Sequence, residues 1–214
     1  IFVVDFEGSL ASGVVEYGLV KIEKGQIVDT ASRFCRARAP IDFNEYRCHG
    51  IEFEETLSYL PFSHEKEFFL KQRALGPFGA HNSLFEDRLL RYEWANPGKV
   101  PRFLDAPNAS DGWGPWLDTY FLYKRCFPNL KQFALGDLVE IFGYRDLLES
   151  LAKKHCPPNR QKYHCALFDA LACSVLLLHL MQHRDLQPLT LEWLLIHSAN
   201  GQRNFQDMNQ QELF

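Results

Sequence analysis

The sequence predicts an α/β fold in which helices pack on the faces of a β-sheet. The chain opens with a strand, because residues 1–6 (IFVVDF) form a short apolar, β-branched run typical of a strand buried on both faces. A hairpin pattern follows directly. From residue 43 onward helical and extended segments alternate, and strands followed by such alternation are typical of a sheet flanked by helices.

The hairpin is predicted by two extended segments joined by a short turn. Residues 14–22 partly alternate apolar and polar side chains, residues 23–26 supply a glycine-containing turn, and residues 27–37 resume the extended pattern. Pro40 closes this β section.

The middle of the chain is predicted to be mostly helical. Residues 43–75 have a helical pattern with an interruption near Pro61, and Ser63 is a predicted N-cap. GPFGAHN, at residues 76–82, predicts a short strand bounded by glycine and proline. An amphipathic helix is predicted over residues 83–94.

The remaining third begins with an irregular segment. Residues 95–115 are rich in Pro, Gly, Asn and Asp and predict a long, solvated surface loop. WLDTYFLYKRCF, at residues 116–127, predicts a last strand or the start of a helix. Cys156, Pro157, Pro158 and Asn159 end one helical segment. Helices are predicted in residues 130–143, 144–155, 166–182 and 189–199, followed by a polar tail.

Composition indicates a globular protein of modest size. The chain has 214 residues, 46% of them hydrophobic and 23% charged, which suffices for one substantial core, and it contains no low-complexity linker. We predict one domain over residues 1–185, with residues 186–214 forming a C-terminal helix and polar tail. The net charge of −4 supplies no global positive field, so contacts with nucleic acid must be local.

The cysteines and the apolar runs indicate an intracellular protein. None of the six cysteines forms a CxxC pair, which favours reduced thiols over a disulfide or zinc framework. No apolar run is long and charge-free enough to span a bilayer, so CSVLLLHLMQH is interpreted as a core helix. We therefore predict a cytoplasmic location.

Carboxylates cluster at three distant points of the chain. Each cluster lies where an apolar run meets a turn or opens a helix. Buried like charges repel and lose hydration, which is unfavourable unless divalent cations neutralise them. Convergence of the clusters therefore predicts metal-dependent phosphodiester chemistry. The clusters are Asp5 with Glu7 in VVDFEGS, Glu86 with Asp87 in AHNSLFEDRLL, and Asp169 in YHCALFDALA.

Geometry restricts what each cluster can do. Asp5 and Glu7 project to the same side of a strand and could hold a hard cation such as Mg²⁺ or Mn²⁺, or simply face solvent at the strand end. Glu86 and Asp87 lie about 100° apart on a helix, so only one can face a site, and both also suit the first turn of a helix electrostatically. Nearby, Asn82 could hold a substrate strand or close a turn.

His164 is predicted to lie outside the helix that carries Asp169. Five residues of α-helix turn through about 140°, so the two side chains cannot share a helix face. His164 should therefore occupy the loop or N-cap before the helix, where its imidazole could reach the attacking water. The alternative is a capping or exposed histidine beside an unrelated aspartate.

Taken in order, these segments closely resemble the DnaQ-like, or DEDD, family of 3'-5' exonucleases, related to ribonuclease T and to the proofreading subunit of bacterial replicative polymerases. The likeness covers residues 1 to about 183. His164 stands five residues before Asp169 and Cys165 four before, so the chain resembles the histidine (DEDDh) subclass. The six matching segments are VVDFEGS, VVEYGLVKIEKGQIV, CHGI, GAHNSLFEDRLL, LDTYFLYKRCFPNLKQFALGDLVEIFG and HCALFDALA.

Two positions depart from the family pattern. HNxxFD places its aspartate directly after the phenylalanine, and here that position is Glu86, with leucines three and four residues beyond it. Asp87 is one residue out of register, so Glu86 is the predicted ligand. EGSL also stands where the family usually has ETTGL.

The resemblance implies an RNase H-like fold, with a mixed five-stranded sheet whose first three strands are antiparallel. It implies two divalent cations, Mg²⁺ or Mn²⁺, bound by Asp5, Glu7, Glu86 and Asp169, which clamp the scissile phosphate and activate water. His164 is the implied general base. The implied products are nucleoside 5'-monophosphates released from 3' ends, in proofreading or DNA repair.

Substrate contacts are predicted around these motifs. Phe6, Leu10 and Phe85 could stack or wedge against a terminal base, which favours single-stranded or frayed 3' ends of DNA or RNA. Apolar packing is the alternative for Phe85. Arg160 and Lys162 could bind phosphates or lie on a solvated face.

The C-terminal pentapeptide resembles the short Q-x-x-L-F motif that docks on bacterial sliding clamps. Residues 210–214 read QQELF, and the exposed pair Leu213 and Phe214 would suit a pocket. The alternative is that the pair folds back on the domain.

Two other functions compete with an exonuclease. A catalytically weak or silent nucleic-acid-binding or protein-binding module is compatible with the Glu86 departure. An endonuclease or transposase-like nuclease on a related fold would cut circular substrates, but the position of His164 argues against it.

Overall fold

The computed structural model describes residues 1–104, 109–110, 112–183, 186 and 189–198. Its strands are β1 (Phe2–Ser9), β2 (Gly13–Glu23), β3 (Gln26–Phe34), β4 (Phe78–Ala80), β5 (Val100–Pro101), β6 (Ala109–Ser110) and β7 (Trp116–Asp118). Its helices are α1 (Phe43–His49), α2 (Phe53–Thr56), α3 (Lys66–Leu75), α4 (Leu84–Glu93), α5 (Thr119–Cys126), α6 (Leu135–Ile141), α7 (Arg145–His155), α8 (Ala166–Gln182) and α9 (Leu191–His197). Two 3₁₀ helices cover Phe62–Glu65 and Pro158–Arg160.

Five strands form one mixed sheet in the order β3-β2-β1-β4-β7. The first three strands are antiparallel neighbours, whereas β4 runs parallel to β1 and β7 parallel to β4. The strands β5 and β6 form a separate two-stranded pair. The mixed five-stranded sheet with helices on its faces is therefore confirmed.

The sheet separates two hydrophobic cores. On one face α8 lies across β1, β2 and β3, and α5, α6 and α7 pack around it. On the other face an aromatic cluster that includes Phe6, Phe62, Phe69 and Trp94 packs under α3 and α4. Because successive residues of a strand point to opposite faces, β1 contributes Phe2, Val4 and Phe6 to the aromatic core and Val3 to the core on the α8 side.

Two local predictions were wrong. Ser63 is not an N-cap, because it lies inside the first 3₁₀ helix, whose cap is Pro61, and α3 begins after Glu65. Residues 95–115 are not simply a solvated loop. Trp113 is fully buried, and the guanidinium of Arg73 donates hydrogen bonds to the carbonyls of Trp113, Pro101 and Gly114.

The C-terminal helix of the described chain packs on the edge of the sheet. α9 contacts β7 and α5, and the hydroxyl of Ser198 accepts a 2.8 Å hydrogen bond from the backbone N–H of Asp118. The six cysteines are free thiols. Among the described residues, no helix combines the length and the apolar character that a membrane crossing requires.

Gly18 lets α8 approach the central strands. It lies opposite Asp5 in the β1–β2 pair, and a Cβ atom at this position would come within 2.4 Å of backbone atoms of Ala166 and Leu167. A side chain does not fit there, so the first turn of α8 can sit directly on the sheet only because residue 18 is glycine.

We expect Gly18→Ala to destabilise the protein by about 1–3 kcal/mol or more, because the added methyl must push the start of α8 away from the sheet. Urea unfolding followed by circular dichroism measures this change. Gly136→Ala is a matched control, since its Cβ meets only the ring end of the Tyr163 side chain and alanine favours the α6 helix. Equal stability of the Gly18 variant and wild type would contradict the close approach.

Candidate active site

Three of the predicted carboxylates meet at one end of the central strand. Ligand oxygens of Asp5, Glu7 and Asp169 all lie within 4.8 Å of one another. Asp5 and Glu7 point to the α8 side of β1, because they are separated by one residue in an extended strand. Asp169 reaches them from the first turn of α8, which rests on Gly18 directly opposite Asp5.

The position of Asp169 also fixes the loop before the helix. One carboxylate oxygen of Asp169 accepts a 2.9 Å hydrogen bond from the backbone N–H of His164. His164 has a positive φ of 62°, a left-handed conformation that is uncommon for a residue other than glycine. Cys165 is the N-cap of α8, so His164 lies on the loop that leads into the helix and its side chain is exposed.

The structure turns Glu86, and not Asp87, toward the three carboxylates. Glu86 is 4% exposed on the first turn of α4. Asp87 points elsewhere, because its carboxylate accepts a 2.9 Å hydrogen bond from the indole N–H of Trp116 and pairs with Arg91. Glu86 is nevertheless not part of the group of three whose oxygens lie within 4.8 Å.

The four carboxylates disfavour one another's ionised forms. Burial raises the pKa of Glu7 to about 8, with a further contribution from the negative charge of Asp169. Burial likewise raises the pKa of Asp169 to about 7. Burial also holds the pKa values of Asp5 and Glu86 well above their usual range, and Asp169 adds to the effect on Asp5.

The donor set fits divalent cations. One oxygen of Asp169 and one of Glu86 are buried without a hydrogen-bond donor among the described residues. Buried carboxylate oxygens normally accept hydrogen bonds, and an ion is one of the few partners that satisfies several of them together. Oxygen ligands of this kind suit Mg²⁺ or Mn²⁺.

The last turn of α1 contributes two side chains, Cys48 and His49, near the acidic centre. The Cys48 sulfur lies 3.3 Å from Nδ1 of His164, and both residues are exposed at the rim. His49, the second residue of the CHGI segment, is buried; its Nδ1 accepts a 3.0 Å hydrogen bond from the backbone N–H of Ile51. The last turn of α1 therefore borders the loop that carries His164.

Phe6 was wrongly predicted to contact substrate. Its side chain is 2% exposed in the aromatic core, on the face of β1 opposite the carboxylates. Leu10 and Phe85 are exposed, at 37% and 41%. Asn82 is also exposed, at the corner between β4 and α4, with φ 65°. The roles of Leu10, Phe85 and Asn82 in substrate binding stay predictions, and so does the packing alternative for Phe85.

Arg160 neither binds phosphate nor faces solvent, contrary to both predictions. It is 7% exposed, and its guanidinium pairs with the carboxylate of Glu16, which is 2% exposed. The same guanidinium donates a 2.8 Å hydrogen bond to the carbonyl of His49, and Glu16 accepts from the backbone N–H of Ala166. This buried pair ties β2, α1 and the start of α8 together beneath the site. Lys162 is exposed.

Asp118 also helps to position the site, although the sequence patterns did not predict this role. At the end of β7, its carboxylate accepts hydrogen bonds from the backbone N–H groups of Asn82 and Ser83 and from the Ser83 hydroxyl. It also caps α5 by accepting from the backbone N–H of Tyr120. Asp118 thus fixes the corner from which α4 presents Glu86. The sequence does contain a signal for this role, because an aspartate directly before a helical pattern is typical of an N-cap.

Comparisons with solved structures place this fold among 3' exonucleases. Exonuclease X in complex with 5' overhanging duplex DNA matches with a TM-score of 0.63 and 21% identity, over 92% of this chain and 99% of that chain. The nuclease domain of 3'hExo, a DEDDh family member bound to rAMP, matches with a TM-score of 0.60 and 14% identity, over 85% and 90%. E. coli Exonuclease I in complex with a dT13 oligonucleotide matches with a TM-score of 0.59 and 13% identity, over 86% of this chain and 41% of that chain.

The molecule is therefore an α/β protein with a buried acidic centre at the end of its central strand. Its fold is the RNase H-like fold, which it shares with these exonuclease structures, as the sequence resemblance predicts. No family model matches the sequence, and no curated protein sequence matches it. The clamp-binding prediction falls on residues 210–214, outside the described residues, and the comparisons give it no support.

Divalent cations should stabilise this protein much more at pH 8 than at pH 6. The raised pKa values of Glu7 and Asp169 mean that the folded, metal-free protein retains protons that the unfolded chain releases near pH 4. Its stability therefore falls as pH rises toward 8, whereas cation binding favours the ionised form. Thermal unfolding in EDTA measures how stability falls with rising pH, and thermal unfolding in Mn²⁺ measures the stabilisation by the cation. Asp169→Asn should reduce both the pH dependence and the stabilisation by Mn²⁺. If Mn²⁺ raised the unfolding temperature equally at pH 6 and pH 8, a cation site made of these carboxyl groups would be contradicted.

Arg160→Met should destabilise the protein by about 3–5 kcal/mol, because it leaves the buried Glu16 carboxylate without its partner. Adding Glu16→Gln should recover part of the loss. Arg145→Met is the matched control, since its pair with Glu140 is exposed and should contribute little to stability. Urea unfolding compares the variants, and similar losses for Arg160→Met and Arg145→Met would rule out a structural role for the buried pair.

Proposed function

We propose that this protein is a metal-dependent 3'-5' exonuclease that hydrolyses phosphodiester bonds at single-stranded or frayed 3' ends and releases nucleoside 5'-monophosphates. The observation that carries the proposal is the convergence of Asp5, Glu7 and Asp169 within 4.8 Å, at the position where the sequence motifs require it. The likeness in fold to 3' exonucleases supports the same conclusion.

The acidic residues have the role of holding cations. Asp5, Glu7, Glu86 and Asp169 would hold two Mg²⁺ or Mn²⁺ ions, and such ions stabilise charge on a transferring phosphoryl group and make water a stronger nucleophile. The two buried oxygens without donors, on Glu86 and Asp169, support this assignment. The protein itself contributes a rigid frame, since these side chains come from β1, α4 and α8, which the two cores hold in place.

His164 is the proposed general base. It lies on a loop beside the carboxylates, its side chain is exposed, and imidazole exchanges protons near neutral pH. The hydrogen bond from its backbone N–H to Asp169 supports this role, because it holds the loop that carries His164 beside the acidic centre. His164 would accept the proton of the attacking water and release it to solvent.

The rim offers contacts for the terminal nucleotides. Leu10 and Phe85 expose apolar surface on either side of the motifs, and Asn82 exposes an amide at the β4–α4 corner. A base with an accessible face could pack against such apolar side chains, which favours unpaired ends over intact duplex. The net charge of −4 is consistent with a small, local contact with substrate.

Oligonucleotides labelled at the 3' or the 5' end, incubated with Mg²⁺ or Mn²⁺, test the proposal. We expect early release of labelled mononucleotide from the 3' end, a progressively shortened ladder from the 5' label, and no cleavage of circular single strands. A panel of single-stranded and double-stranded DNA and RNA defines the substrate. Absence of product with every cation and substrate would favour a binding module, and cleaved circles would favour an endonuclease.

His164→Ala should lower turnover by about 10²–10⁴-fold, the usual contribution of a general base, while leaving Mn²⁺ stabilisation of the fold nearly unchanged. His64→Ala is the matched control, because His64 is an exposed histidine on the 3₁₀ helix before α3 and should retain full activity. Single-turnover assays on a 3'-labelled single strand measure both variants. Wild-type activity in His164→Ala would remove this residue from the mechanism.

A further inference from the structure

A thiol stands beside the proposed general base. Cys48 lies in the last turn of α1, and it is the exposed cysteine among six. Its sulfur is 3.3 Å from Nδ1 of His164, and donor atoms of Glu7, Cys48 and His164 all lie within 4.8 Å of one another. Three separate segments, β1, α1 and the loop before α8, therefore bring sulfur, nitrogen and oxygen donors to one point.

This donor set differs in kind from the acidic centre. Carboxylates alone suit Mg²⁺ and Mn²⁺, whereas a thiolate with an imidazole suits softer cations, among them Zn²⁺. Zinc bonds of about 2.3 Å to sulfur and about 2.0 Å to nitrogen place the two donors about 3.6 Å apart in a tetrahedral site. The 3.3 Å separation of Cys48 and His164 is close to that value, so little movement is needed.

Access and charge both favour capture of an ion from solvent. Cys48 and His164 are exposed, while Glu7 forms a buried floor. The carboxyl groups of Glu7 and Asp169 lie close enough to act on the Cys48 thiol, whose sulfur contacts His164. A divalent cation bound there would take the place of the thiol proton and reduce the repulsion among the acidic groups.

We propose that Glu7, Cys48 and His164 form a zinc site, with a solvent molecule as the fourth ligand, and that zinc bound there switches the enzyme off. The inhibitory part rests on the proposed function. An imidazole that binds zinc through Nδ1 carries its proton on Nε2, so it cannot accept a proton from water. Zinc would also occupy the Glu7 carboxylate that the acidic centre needs.

Cobalt spectroscopy tests the site without reference to activity. Co²⁺ added to the EDTA-treated and dialysed full-length protein should give a thiolate-to-cobalt absorption band that Zn²⁺ abolishes stoichiometrically. Cys48→Ser should lose the band and bind Zn²⁺ about 10–100-fold more weakly in competition titrations. Cys126→Ser, which changes a partly exposed thiol on α5, should behave as wild type. Absence of the band in wild type, or its persistence in Cys48→Ser, would overturn the site.

Inhibition is measured separately, with each variant compared with its own zinc-free rate. In saturating Mg²⁺, micromolar Zn²⁺ should inhibit wild type and Cys126→Ser, and EDTA followed by fresh Mg²⁺ should restore activity. Cys48→Ser should require about 10–100-fold more zinc for the same inhibition. Equal sensitivity of Cys48→Ser would place zinc inhibition at the carboxylates and overturn the switch. If no substrate is cleaved, the proposed function and the switch fail together, whereas the cobalt result still decides the site.

Discussion

Repulsion among buried carboxylates is the constraint on which the rest of this structure depends. Asp5, Glu7, Glu86 and Asp169 are held close together although burial and mutual charge disfavour their ionised forms. These carboxylates do not attract one another, so the surrounding fold must hold them together. The two hydrophobic cores fix β1 and α8, Gly18 of β2 lets α8 lie directly on the sheet, and the Glu16–Arg160 pair and Asp118 hold the adjoining loops. An arrangement this unfavourable without cations is the physical basis for interpreting the site as a metal centre.

Much of this arrangement could be predicted because its signals are local. A short apolar, β-branched run identifies β1, partial alternation identifies the hairpin, and helical patterns identify α4 and α8. The strand rule places Asp5 and Glu7 on one side. Helix geometry alone requires that His164 lie outside α8. The sheet order, by contrast, followed from the family resemblance, since no local pattern says which strands are neighbours.

The features that sequence reasoning missed depend on contacts between distant residues. The pairing of Glu16 with Arg160 and the approach of Cys48 to His164 join residues more than a hundred positions apart, which no spacing rule reveals. Trp113 lies in a segment whose composition suggests a loop, yet Arg73 and the aromatic core bury it. The predicted substrate contact of Phe6 was wrong for a different reason. The alternation that puts Asp5 and Glu7 on one face of β1 also directs Phe6, which lies between them, to the opposite face.

The position of Asp169 near the end of the described chain has a consequence for biogenesis. The acidic centre draws on β1 and on α8, which are far apart in the described chain, so the metal-holding group is incomplete until both elements have been synthesised. Chains emerge from the ribosome N-terminus first, at about 5–20 residues per second. A polypeptide that lacks α8 would thus lack Asp169 and the complete centre, so this group can bind metal only after α8 has been synthesised and has packed on the sheet.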